Sequence, residues 1–265
     1  MPDRSPSRTV ERGAGPPILF LHGYPLHRAM WMPQLTGLTA AHRVVLLDLP
    51  GYGSAVGDPV PDTLAGFGEA ARDVIERDLG GHATIVGHSF GGYVALQLYR
   101  DHPKLFDRLI LVSTRSGADT PEAREKRFAT ARRVSEPGGH LDVDEVAKTL
   151  VSEATWTRGG PVPEIVRAIV AAAPGATVVQ TLTAIANRPD LTPVLSTIRI
   201  PTLVLWGSAD RLIPPAQTQA LATAIPGARG VELPGAGHLG PMETPAEFDT
   251  AVRNFLMAPD ETSPP

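Results

Sequence analysis

Three observations predict an α/β protein whose mostly parallel, doubly wound sheet carries an inserted helical cap. Short apolar runs alternate with helix-like stretches, as buried parallel strands and their crossovers do. A serine flanked by glycines sits between one such run and a helix-like segment. One long interval, from Thr114 to Ile200, holds helix-like segments and no strand.

The runs are residues 17–21, 43–48, 83–86, 109–113 and 202–206, with a weaker sixth at 230–233. Each is short, rich in Val, Ile and Leu, and bounded by Gly, Pro or polar residues. Helices are expected at about 63–79, 92–100, 215–224 and 245–257. The long interval adds four more, near 120–134, 142–154, 163–173 and 178–187. An insertion of that size between two core strands reads as a cap rather than a linker. The expected organisation is therefore a core of 1–114 and 200–265 with a cap of 115–199.

Composition narrows the function classes. Of 265 residues 42% are hydrophobic, enough for the core of one such domain. A net charge of −4, from 24 basic and 28 acidic residues, gives no nucleic-acid signature. The absence of cysteine excludes disulfides, thiol nucleophiles and thiolate metal sites. Residues 1–8 lack the apolar centre of a signal peptide, and no run approaches the ~18 apolar residues of a membrane span. A cytoplasmic location is expected, and residues 259–265 read as a frayed tail.

The chemistry centres on Gly87-His88-Ser89-Phe90-Gly91. A serine at a strand-to-helix corner adopts a strained backbone with its hydroxyl exposed, and glycines two residues to either side relieve the collision across the turn. Ser89 is the candidate nucleophile. Such a serine needs a base, and the base needs an orienting acid. His238, in the Gly-rich loop after the last run, is the candidate base. Asp210, just beyond the 202–206 run, is the candidate acid, with Asp119 as its rival. Strand ends on one edge of a parallel sheet converge, so distant residues meet there. The developing oxyanion needs two N–H donors. Phe90 supplies one at a helix N-terminus, and Tyr24, after the first run, supplies the other because Pro25 has no N–H.

His22-Gly23-Tyr24-Pro25, Asp48-Leu49-Pro50-Gly51-Tyr52-Gly53-Ser54, the Ser89 segment, Trp206-Gly207-Ser208-Ala209-Asp210 and Gly237-His238 occur in that order. With these five elements the chain resembles the α/β-hydrolase-fold serine hydrolases over nearly its whole length. The start of the cap, 114–122, resembles that of bacterial esterase-like and enol-lactonase-like members. The resemblance carries the family's triad onto Ser89, Asp210 and His238, and its oxyanion donors onto Tyr24 and Phe90. Related dehalogenases and epoxide hydrolases have Asp where this chain has Ser89, which disfavours their chemistries. The implied activity is hydrolysis of small or medium acyl esters, and of lactones, through an acyl-enzyme, a cycle that needs no cofactor and no metal. The expected partner is the small-molecule substrate, with neither nucleic acid nor membrane involved.

Other residues are weighed individually. His22 and His88 flank the site and read as imidazoles that hold loop backbone; Asp48 reads as a stabiliser of the turn after it. Trp31, Phe128 and Trp156 are candidates for the acyl pocket. Arg115 is a candidate for a substrate carboxylate, against a competing ion pair with Asp119 or Glu122. Carbon–carbon bond hydrolases, cofactor-free perhydrolases and hydroxynitrile lyases use similar Ser-His-Asp geometry, and a hydrolase-like ligand receptor is the alternative outside catalysis.

Overall fold

Alternate side chains of a strand enter opposite faces of its sheet, and here both faces are apolar. In the 17–21 run, Ile18 and Phe20 join one hydrophobic cluster while Leu19 and Leu21 join the other. The same division holds for Val44 and Leu46 against Val45 and Leu47. The computed structural model describes residues 8–258. The expected frayed tail and all but the last residue of the polar N-terminal stretch lie outside the described residues.

Among the described residues seven strands form one sheet: β1 (Thr9–Arg12), β2 (Pro17–Leu21), β3 (Arg43–Leu47), β4 (Ala83–His88), β5 (Phe106–Val112), β6 (Thr202–Gly207) and β7 (Arg229–Leu233). Their order is β1-β3-β2-β4-β5-β6-β7. All neighbours pair in parallel except β1, which runs antiparallel to β3 with Val10 opposite Leu46. The apolar runs predict six strands and miss β1. That strand is four residues long, three of them polar, and at the edge, so neither length nor alternation marks it.

Helices cover both faces. Leu64–Asp78 starts at Thr63, whose hydroxyl accepts from the Gly66 N–H, and turns Leu64, Phe67, Ala71, Val74 and Ile75 inward. Phe90–Asp101 packs beside it, with Phe67 and Phe90 edge to face at 5.0 Å. On the opposite face Phe248, Val252 and Phe255 of the helix Pro245–Met257 pack with Trp31 and Phe20.

Between β5 and β6 lie the helices Pro121–Ser135, Val143–Leu150, Glu153–Arg158, Pro161–Ala171, Gly175–Ala186 and Thr192–Leu195. The single helix expected at 142–154 is in fact two. Val151 and Ser152 are extended, and the Ser152 hydroxyl caps the second helix by accepting from the Thr155 N–H. The broken turn finds partners elsewhere: the Leu150 carbonyl accepts from the Leu239 N–H, and the Ser152 N–H donates to Glu243. Tertiary hydrogen bonds thus replace helical ones, which local propensity does not register. Among the described residues no single helix is long and apolar enough to cross a membrane.

Candidate active site

The corner after β4 is as tight as the glycine pattern implies. A Cβ on Gly87 would lie 2.5 Å from the Gly91 carbonyl oxygen, and one on Gly91 would lie 2.3 Å from that of Leu21. Between them Ser89 has φ 51° and ψ −113°, a conformation that costs a non-glycine residue about 1–3 kcal/mol. Backbone bonds hold it there. The Ser89 N–H donates to Val112, and its carbonyl accepts from the Gly92 and Tyr93 N–H groups and from the Thr114 hydroxyl. Phe90 is the first residue of its helix, so its N–H has no intrahelical acceptor.

His238 sits in the loop after β7 and is buried. Its Nδ1–H donates to Asp210 Oδ2 at 2.8 Å, which turns Nε2 away from the carboxylate. That nitrogen is buried and has no hydrogen-bond partner in the protein. The second carboxylate oxygen of Asp210 accepts from the N–H groups of Leu212 and Ile213, both at 2.9 Å. Burial pushes the Asp210 carboxyl up. The neighbouring His238 and the two backbone donors outweigh this and hold it below the usual aspartate range.

His88 supports this arrangement from below. Its Nε2–H donates to the His238 carbonyl oxygen at 2.8 Å, and the two rings meet at 4.7 Å. Burial, with the nearby His238, lowers His88 to about 3, so its ring stays neutral. His22 donates from Nδ1 to the Gly23 carbonyl and accepts the Leu49 N–H at Nε2, both at 3.0 Å. Burial lowers it to about 4. Asp48 accepts from the N–H groups of Arg28 and Ser54, tying the loops after β2 and β3 together. Glu243 was not marked by the sequence reading. Its carboxylate accepts from the N–H groups of Gly237 and Ser152, both at 2.9 Å.

Ser89 lines a cavity of about 80 Å³ together with Tyr24, Phe90, Tyr93, Arg115 and Arg127. Tyr24, Arg127 and Leu212 also border a wider groove of about 560 Å³ between helices of the β5–β6 segment. Arg115 therefore lines the cavity while it also binds Asp119 at 2.7 Å. Trp31, Phe128 and Trp156 line neither space. Trp31 is fully buried against Phe20 and Phe248 and meets the His88 ring edge-on at 6.1 Å. Phe128 carries the Arg124 guanidinium over its ring and borders a shallow surface depression instead. Trp156 is covered by Arg167 at 4.3 Å. Large aromatics went to packing and cation–π contacts, as their area favours.

Asp119 is not beside His238. Its carboxylate holds Arg115, Arg127 and Arg188. Arg127 and Arg188 were missed because the pairing joins residues that no helical spacing brings together.

Residues 18–251 match the model of the alpha/beta hydrolase family. An esterase from Thermogutta terrifontis is 36% identical with a TM-score of 0.88, covering 94% of this chain and 92% of that one. The enol-lactonase of Burkholderia xenovorans LB400 is 27% identical with a TM-score of 0.86, covering 94% and 96%. A pimeloyl-[acyl-carrier protein] methyl ester esterase of Xanthomonas campestris is 29% identical over 93% of this chain and 97% of its own. A polyketide synthase of Burkholderia thailandensis is 30% identical over 99% of this chain, which spans 12% of that protein's length. The seven-stranded sheet, the corner at Ser89 and these matches agree: the chain belongs to the alpha/beta hydrolase family.

Proposed function

We propose that the protein is a serine hydrolase of carboxylic esters, and of lactones, with small or medium acyl groups. The observation that carries this reading is the His238–Asp210 bond. It fixes the imidazole in the tautomer whose Nε2 is a free, buried base. The esterase and enol-lactonase names of the relatives support the same class.

In this mechanism Nε2 of His238 takes the Ser89 hydroxyl proton as Oγ bonds to the ester carbonyl carbon. The oxyanion that forms is held by the N–H groups of Phe90 and Tyr24. The ester C–O bond then breaks, and His238 passes its proton to the leaving oxygen. Water gives its proton to His238 and bonds to the acyl carbon. The acid departs as Ser89 Oγ recovers the proton. Asp210 stabilises the imidazolium that exists between these transfers. The segment 115–199 acts as a cap, which closes the cavity around the acyl group and excludes bulk water.

The test is turnover of p-nitrophenyl acetate and butyrate by wild type and Ser89→Ala. Activity in the wild type that disappears in the variant is expected. Equal activity in both removes Ser89 from the mechanism.

A further inference from the structure

Arg115 and Arg127 are the charged residues that line the cavity containing Ser89. Both bind Asp119, and so does Arg188, at 2.9 Å with its side chain fully buried. Three guanidiniums therefore share one buried carboxylate, leaving a surplus of two positive charges. Arg188 is spent on structure. It donates to the carbonyls of Gly117 and Ile185 and lies 4.4 Å over the Tyr93 ring. Arg115 is less well satisfied: besides Asp119 its side chain reaches the neutral Gln217 at 3.4 Å, and its Nε is buried without a partner. The Tyr24 hydroxyl, on the same cavity wall, is likewise buried and unpartnered.

A buried donor without an acceptor is destabilising, and two of the three guanidinium charges, those on the roughly quarter-exposed Arg115 and Arg127, are left unbalanced. An anion that presents two oxygens relieves both, and guanidinium forks match the two oxygens of a carboxylate. The cavity is small, so such an anion sits only a few bonds from the carbonyl that Ser89 attacks. We propose that Arg115, Arg127 and Tyr24 form a carboxylate subsite, and that the preferred substrate is an ester or lactone whose acyl part bears a second carboxylate a short distance from the scissile carbonyl. This rests on the reading of Ser89 as the nucleophile.

Methyl valerate and monomethyl glutarate test it, because they match in chain length and differ in the terminal carboxylate. Methanol release should give the glutarate ester a kcat/KM about tenfold or more higher, with the difference in KM. Arg115→Gln and Arg127→Gln should each reduce that ratio about tenfold. Arg132→Gln, on the same helix but paired to the exposed Glu125, should leave it unchanged. Ser89-dependent turnover with no preference for the glutarate ester overturns the subsite and leaves the nucleophile standing. Absence of Ser89-dependent turnover of either ester overturns both. An unchanged ratio in both folded arginine variants also overturns the subsite. Where a variant does not fold, wild type still decides: KM for the glutarate ester must rise with ionic strength while that for methyl valerate does not.

Discussion

Glu243 and Ser152 are joined across the seam between the sheet core and the β5–β6 segment: one carboxylate oxygen accepts the Ser152 N–H, and the other accepts the Gly237 N–H. Gly237 directly precedes the histidine that binds Asp210. The carboxylate thus holds the loop of His238 through its backbone.

Replacing Glu243 with Gln keeps the shape but turns an NH₂ group toward one of the two donors. One buried N–H loses its acceptor, at about 1–3 kcal/mol. The expected result is a Tm lower by several degrees and a kcat reduced several-fold, with KM changing less. Differential scanning calorimetry and steady-state rates check both. An unchanged kcat would show that the seam stabilises without positioning His238.

His88 binds the other end of the same residue, at the His238 carbonyl. Its ring is held neutral, at about 3, by burial, so it contributes position and no titration near neutrality. His88→Gln should lower kcat on the order of tenfold to a hundredfold through misplacement of His238, the proposed base. The midpoint of the acidic limb of the pH–rate profile should stay where it is in wild type. A displaced midpoint would show that His88 itself carries a proton during turnover.

Asp249 offers a test on stability. It is buried beside Gln34, and burial pushes it up to about 6 despite the Gln34 hydrogen bond and the nearby Arg253. The folded state therefore binds more protons than the unfolded chain between the ordinary aspartate range and about 6. Stability must fall as pH rises through that window and then level off. Asp249→Asn removes the titration. The variant should be more stable than wild type by about 1–3 kcal/mol above the window and equal to it near pH 4. Thermal melts at the two extremes measure the difference. A constant offset at both would remove Asp249 as its source.

Much of the fold was legible because burial on both sides makes a parallel strand apolar along its whole length. The segments leading to Ser89 and Asp210 show this, since β4 and β6 are buried at every residue. The corner at Ser89 was legible for a local reason, the two glycines that its close backbone contacts demand. Where the outcome depended on distant partners, the sequence was silent. The break at Val151 answers to Leu239 and Glu243, far along the chain. Likewise, Arg127 acquires its place in the cavity from Asp119, across a loop and a helix turn. Trp31 shows the converse: its size suited a pocket wall, yet the same area gains more in the core among Phe20, His88 and Phe248.

The pairing of Leu239 with Leu150 has a bearing on protein engineering. Transplanting the β5–β6 segment between related enzymes is an obvious route to new selectivity. In this chain such a graft replaces the residues whose Leu150 carbonyl and Ser152 N–H bond Leu239 and Glu243 beside the loop of His238. A working chimera must therefore exchange residues 150–152 and 237–243 as one piece, or keep both.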